Sequence, residues 1–259
     1  MHVPDGFLDA PTTLATGALA AASVPVALRG ARRELGERTA PLGGLVAAFV
    51  FAAQLISFPI AAGTNAHLLG GVLAAVLVGP NTALLCTTVV LLAQVLVLAY
   101  GGVTGLGASM IVMDLVPIVV GYAAFLLVRR LCARSPGGLA AAAGVGAFVS
   151  VPAGAAAFAG LYVLGGAAGI PLRTVATAVV LAHLVVGGCE AVITALVVRG
   201  LLAARPDLVR AARIGPFGPA VPVVGAAPAV ATARPPRPAA EPVGRVGSTG
   251  SGPDPRWSR

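Results

Sequence analysis

Two histidines and one amine are the groups in this chain with the types and spacing to hold a metal ion. The chain opens Met1-His2, and none of its 17 basic residues is lysine, so the α-amine of Met1 is its one primary amine. That amine, the backbone nitrogen of His2 and the imidazole of His2 can wrap a single ion in two fused chelate rings. A planar set of amine and imidazole nitrogens suits Ni(II) or Cu(II) better than Zn(II). Read alone, Met1-His2 is better taken as a frayed and unbound terminus. A fourth nitrogen comes from His67, in the stretch Gly63-Thr64-Asn65-Ala66-His67. Read alone, His67 is an interfacial histidine beside Thr64 and Asn65, two helix-capping residue types. Taken together, the two histidines make the metal reading the stronger one, provided the fold brings both to one face.

The elements that must do this are membrane helices. Hydrophobic residues make up 58% of the 259, charged residues 10%, and the mean hydropathy is +0.95. A soluble domain carries about a quarter charged residues. Seven apolar segments are expected near 11–28, 42–62, 68–79, 82–100, 105–128, 138–165 and 174–203. The third, at about twelve residues, is too short to cross a ~30 Å hydrocarbon core upright. It reads as a re-entrant or half-buried helix, or as one that continues past Pro80. Arg29, Arg32, Arg33 and Arg38 follow segment one, Arg129, Arg130 and Arg134 follow segment five, and Arg199, Arg205, Arg210 and Arg213 follow segment seven. The positive-inside rule then predicts seven spans with the amino terminus outside, which puts Met1 and His67 on the same face. No cleavable signal peptide is expected, because Asp5 and Asp9 stand where a basic region would be. The division expected is an external metal-chelating segment over 1–10, a multi-pass helical bundle over 11–204 and a disordered cytoplasmic tail rich in proline, glycine and arginine over 205–259.

Polar residues inside apolar segments need a reason. Asp114, His183 and Glu190 each carry an insertion cost of about 2.5–3.5 kcal/mol. His183 and Glu190, seven apart, share one helix face. They read as a packing network that orients the amino-terminal loop or, alternatively, as a proton or ion relay, and Gln54 and Gln94 fit the packing role. Gly44, Ala48 and Ala52 form a stripe of small residues that admits a close helix. Cys86, Cys132 and Cys189 lack metal spacing and read as small buried hydrophobes. The +8 charge sits at helix ends and in the tail with no aromatic interleaving, which argues against nucleic-acid binding. The chain carries no P-loop, so it is expected not to hydrolyse ATP. Two other classes fit less well. A stand-alone secondary permease would want polar path-lining segments and internal repeats. An intramembrane serine hydrolase would pair Ser109 with His183, but Gly107-Ala108-Ser109-Met110 lacks the small residue wanted after a nucleophilic serine.

The opening MHVPDGFLDAP resembles the start of the CbiM/NikM proteins, the substrate-capture (S) components of energy-coupling factor transporters for cobalt and nickel. The stretch Phe51-Ala52-Ala53-Gln54, through Phe58-Pro59, to Gly63–Gly71 is similar to that family's most distinctive block. Gly101–Ala108 and His183–Thr194 match more loosely, and the whole resemblance covers about residues 1–203. Ser109 and Val112 stand where the family often has asparagine, Asp114 where it reads alanine, and Asn65-Ala66 where it often has Ser-Gly. The resemblance implies a metal set of Met1, His2 and His67, a transported Co(II) or Ni(II) ion and no resident cofactor. It further implies a bacterial cell membrane and partners beyond lipid: a membrane coupling (T) subunit meeting the Gly44-Ala48-Ala52 stripe, two cytoplasmic ATPases and a separate two-span accessory subunit. Reference pKa values of ~7.7–8 for the amine and ~6.5 for imidazole predict that metal affinity falls below about pH 6.

Overall fold

A computed structural model describes residues 1–35, 40–59, 65–132 and 135–213; at 58, 59, 65 and 132 the description stops at the backbone. Its helices are α1 (Ala10–Glu34), α2 (Ala40–Leu55), α3 (Gly71–Val78), α4 (Pro80–Val97), α5 (Leu106–Met110), α6 (Val116–Cys132), α7 (Pro136–Gly165), α8 (Leu172–Ala204) and the short α9 (Arg210–Arg213). A π-helical turn, Ile111–Leu115, joins α5 to α6 in one continuous rod. Between α2 and α3 lies a small antiparallel pair, β1 (Ser57–Pro59) with β2 (Asn65–His67), in which Ser57 faces His67.

The protein is an all-helical integral membrane bundle. Among the described residues, five helices are long and apolar enough to cross a membrane: α1, α4, the α5–α6 rod, α7 and α8. The 16-residue α2 is apolar but about 24 Å long. Leucine, valine and phenylalanine side chains such as Leu14, Leu45, Leu164 and Val185 stand exposed around the outside, as a lipid-facing surface requires.

Segment two differs from expectation. Its apolar run reaches residue 62, but the helix stops at Leu55, where the chain turns into β1. The third segment is shorter still. Helix α3 has eight residues, all of them buried, and lies among α2, α4, α6, α7 and α8. An apolar run buried all round has no need to span, so its length reports a core element rather than a crossing. The expected tail also begins folded: Val209 is 0% and Ala211 2% exposed, in a turn and helix that pack on α3. Residues 214–259 lie outside the described part.

Both interior helix starts are capped by carboxylates from distant helices. Glu190 on α8 accepts the N–H groups of Leu69 (2.7 Å) and Gly70 (2.9 Å) at the start of α3. Glu34, at the end of α1, accepts from the backbone and side chains of both Asn81 and Thr82 at the start of α4 (2.7–3.2 Å). Arg210 of α9 donates to the Glu34 carbonyl at 2.6 Å. A free helix amino terminus carries unsatisfied N–H groups and a partial positive charge, and each carboxylate answers both. Between the two helices Gly79 adopts φ 104°, and a Cβ there would stand 2.5 Å from the Glu34 carboxyl carbon. Gly79→Ala is therefore expected to lower stability by about 3 kcal/mol, from backbone strain and a displaced cap together, read as a lower unfolding temperature in detergent.

Candidate metal centre

The amino-terminal segment is seated in the bundle, not frayed over it. Met1 is 0% and His2 4% exposed. Ser109, at the end of α5, accepts the Val3 N–H at 2.9 Å, and the Val3 carbonyl accepts from Gly102 at 3.0 Å. Asp5 accepts from both the backbone and the hydroxyl of Thr104, and these bonds hold its carboxyl below the ordinary aspartate range. Gly6, at φ 73°, turns the chain back. Phe7 then packs against the rings of Phe158 and Tyr162 (centroids 5.2 and 5.0 Å), and Asp9 caps α1 by accepting from Thr12. Val3, Asp5, Gly6, Phe7 and Asp9 thus each have a mechanical task, and the tasks add up to holding Met1 and His2 in place.

Met1 and His67 meet. The Met1 amine donates to Nε2 of His67 at 3.2 Å, and the His2 and His67 rings lie 5.1 Å apart between centroids. His67 Nδ1–H donates to the Leu68 carbonyl at 2.8 Å, which leaves the lone pair on Nε2, toward the amine. On the other side, His2 Nε2–H donates to Gln94 Oε1 at 2.9 Å, which places its lone pair on Nδ1. Nδ1 is the nitrogen that closes a six-membered ring with the backbone nitrogen of its own residue. Nitrogens about 2.0–2.1 Å from a metal at right angles are about 2.9 Å apart, so the amine and His67 already stand close to neighbouring corners of a square.

A hydrogen-bonded chain sets these orientations. Gln94 on α4 passes from His2 to Gln54 on α2 (2.9 Å), and Gln54 donates on to the Leu69 carbonyl (2.8 Å), two residues from His67. All four side chains are buried. Partners that fix a ligand's tautomer are commonly worth 10–100-fold in metal affinity, so Gln94→Leu is expected to weaken Ni(II) or Co(II) binding by about that factor, as measured by competition titration.

Burial acts on the donors as well. It lowers the Met1 amine from 8.0 to about 5 and pushes His67 well below 6.5, the amine's own charge adding to the second shift. Both nitrogens are therefore neutral at neutral pH and ready to donate to a metal. Among the described residues no three His, Cys, Asp or Glu side chains stand close enough to hold a metal. A site here depends on the amine.

The other sequence candidates fall in different places. Thr64 lies outside the described residues, and Asn65 is described only as the backbone partner of Pro59. Gly70, the residue before α3, offers no side-chain cap, and among the described residues Glu190 accepts the N–H groups at this helix start. His183, on the same buried face of α8, donates from Nδ1 to the Val179 carbonyl (2.7 Å), and its buried Nε2 has no hydrogen-bond partner among the described residues. It is near enough to Met1 and His67 for their charges to act on one another. Asp114 is buried in the π-helical turn, apart from the chain that joins His2 to Leu69. Ser109 is engaged with Val3 and His183 with Val179, so the structure does not pair them as nucleophile and base. Gly44, Ala48 and Ala52 all face outward on α2. Cys86 is half-buried and bonds to the Gly43 carbonyl, whereas Cys189 is exposed. Asp5, Ser109 and Thr104 hold the amino terminus, a task the sequence reading gave to none of them; Ser109 entered it only as a candidate nucleophile and as a position where the family often has asparagine.

A helical membrane bundle that seats its own amino terminus against a buried histidine is the class that fold and site define. The chain belongs to the CbiM family of cobalt and nickel transport proteins as a membrane component: the family described as cobalt uptake substrate-specific transmembrane region matches residues 2–208. It is 36% identical over 209 residues to a putative metal transport protein of Haloquadratum walsbyi, covering 81% of this chain and 93% of that one. It is 37% identical over 210 residues to a putative fused nickel transport protein NikMN of Archaeoglobus fulgidus, covering 81% and 68%. A crystal structure of a truncated transition metal transporter superposes with a TM-score of 0.72 at 30% identity, covering 78% of this chain and 99% of that one.

Proposed function

We propose that this protein is the substrate-capture subunit of an energy-coupling factor transporter. It takes Co(II) or Ni(II) from outside a bacterial cell through the Met1 amine, the backbone nitrogen and Nδ1 of His2, and Nε2 of His67. The observation that carries this reading is the 3.2 Å approach of the buried amine to Nε2 of His67, with His2 beside it in the matching tautomer. Metal replaces the amine hydrogen bond, and the glutamine chain keeps both rings in line while it does so. In this reading the Met1 end of the bundle faces outward and the Glu34 end, where Arg210 meets the Glu34 carbonyl, faces the cytoplasm. The chain passes the ion on by working with a coupling subunit, two cytoplasmic ATPases and a small two-span accessory subunit. The outward-facing Gly44, Ala48 and Ala52 on α2 suit the close approach of the coupling subunit.

The test is equilibrium loading of the purified protein with Ni(II) and Co(II) in competition with a chelator. One ion per chain is expected, with a planar, diamagnetic Ni(II) form. The absence of stoichiometric binding of either ion overturns the proposal.

The buried site also revises the pH dependence expected from reference values. Protons compete with metal only where the donors are protonated in the folded, empty protein. With the amine at about 5 and His67 well below 6.5, the proton still to be displaced at pH 6 is the backbone N–H of His2, which binds metal as the amidate. Affinity is expected to fall about tenfold per pH unit from pH 7.5 to 6, the slope of that one proton, and more steeply as the pH drops through about 5. The same lowered amine makes the empty fold bind fewer protons than the unfolded chain between about pH 5 and 8, so its contribution to stability rises with pH across that window. Titrating metal affinity and apo unfolding temperature over this range checks both signs.

A further inference from the structure

We propose that Glu190, on the last long helix, is a positioning residue of the metal centre: it sets the angle at which His67 meets the ion, and through that the ion's preferred geometry. The inference rests on the four-nitrogen reading above and concerns a residue that supplies no ligand.

His67 stands at a tight corner. The chain leaves β2 at His67, runs through Leu68, Leu69 and Gly70, and starts α3 at Gly71. Gly70 sits at φ 73°, with Val50 of α2 close against it, so the backbone direction of the corner is sensitive to what holds it. Two groups hold it. The Gln54 amide donates to the Leu69 carbonyl, and the Glu190 carboxylate accepts the Leu69 and Gly70 N–H groups, one on each oxygen, at 2.7 and 2.9 Å. The peptide units flanking Leu69 are thus fixed from both sides. The His67 ring is tied to this corner by its own Nδ1–H bond to the Leu68 carbonyl. A change at Glu190 therefore reaches Nε2 of His67 through the Leu69 amide, the Leu68 carbonyl and the ring.

Chemistry favours positioning over relay for this carboxylate. Both oxygens are engaged as acceptors by backbone N–H groups, and Glu190 is 2% exposed. A bidentate carboxylate on two successive amides fixes direction as well as distance, which a single hydrogen bond does not. Outer groups of this kind commonly change metal affinity 10–100-fold when removed. The planar four-nitrogen set is the geometry most sensitive to a tilted imidazole, because Ni(II) is diamagnetic only while the four donors stay in one plane.

Glu190→Gln keeps size and shape and leaves one acceptor in place of two, so one of the two amides loses its partner. The full-length purified protein, wild type, Glu190→Gln, Glu190→Asp and His67→Ala, is titrated with Ni(II) and Co(II), with apo unfolding temperature, Ni(II) magnetism and the Co(II)/Ni(II) affinity ratio as readouts. Glu190→Gln is expected to keep one metal per chain, bind Ni(II) 10–100-fold more weakly, show a paramagnetic Ni(II) fraction and shift the affinity ratio toward Co(II). Glu190→Asp is expected to recover part of the diamagnetic signal, because the paired acceptors return at a longer reach. A change in unfolding temperature with unchanged magnetism and ratio marks a purely structural carboxylate and overturns the inference, as does wild-type affinity in Glu190→Gln. If Glu190→Gln does not fold, Glu190→Asp is compared with wild type in its place: a paramagnetic Ni(II) fraction supports the inference, and unchanged magnetism and ratio overturn it. His67→Ala separates the two readings: if it binds metal as wild type does, the four-nitrogen site itself is wrong and this inference falls with it. If it loses binding while Glu190→Gln behaves as wild type, only the role of Glu190 is wrong.

Discussion

One residue placed ahead of Met1 is expected to abolish stoichiometric Ni(II) and Co(II) binding. The extension turns the Met1 amine into a peptide nitrogen, which can bind a metal only as the deprotonated amidate, and moves the free amine one residue further from His2. The chelate loses its anchoring corner and one of its two rings. The new residue has in addition to be housed where Met1 is already fully enclosed, with its terminal methyl packed beside Gly154 of α7 and Val3 fixed by Ser109. The amine's hydrogen bond to His67 goes as well. Metal content of the extended and native forms, purified side by side, measures the effect. Equal loading that is still lost on His67→Ala would show that Met1 is no ligand; equal loading independent of His67 would mark a new chelate made by the extended terminus itself.

His67→Ala is the second large effect, and it differs in kind. Here the amine and the His2 chelate remain, and a single corner is removed. Binding energies of about 10–16 kcal/mol for four-ligand sites give about 3 kcal/mol per nitrogen, or ~100–1,000-fold in Kd. The loss should lie at the lower end of that range, because the substitution also removes from the empty state the hydrogen bond of the buried amine that metal would otherwise have to replace. His2→Ala is expected to match it in affinity while costing Gln94, rather than Met1, a hydrogen-bond partner. Titration of both variants at pH 7 provides the comparison. A His67→Ala protein within threefold of wild type would remove His67 from the ligand set.

Much of the bundle is legible in the sequence because membrane helices announce themselves by composition. The runs ending at Leu55, Val97, Cys132, Gly165 and Ala204 are all apolar over most of their length, and arginines or glycines punctuate them. The candidate ligand set is legible for a different reason: three histidines and no lysine leave few nitrogens to choose from. What cannot be read are the partnerships across long separations. Nothing near Leu69 says that its N–H will find Glu190, 121 residues on, and nothing near Pro80 says that Glu34 will cap α4. The boundary of segment two is misplaced in the sequence because Phe58 and Pro59 continue the apolar run after the backbone has already left the helix. Glu190, which accepts the N–H groups of Leu69 and Gly70 before α3, is not within reach of any local reading of that loop. Gln54 and Gln94 stand in the sequence as polar residues awaiting a use, but their order in the chain from His2 to Leu69 belongs to three-dimensional space alone.

The bond from Glu190 to the corner beside His67 has a consequence for the order in which the molecule is made. All the proposed metal ligands are synthesised within the first 67 residues, yet the carboxylate that secures their geometry emerges more than a hundred residues later. A nascent chain that has inserted its first helices therefore owns every donor atom and still lacks a finished site. The full-strength, planar grip on an ion arrives only when α8 docks, so cargo is held at its final affinity only after the bundle has closed.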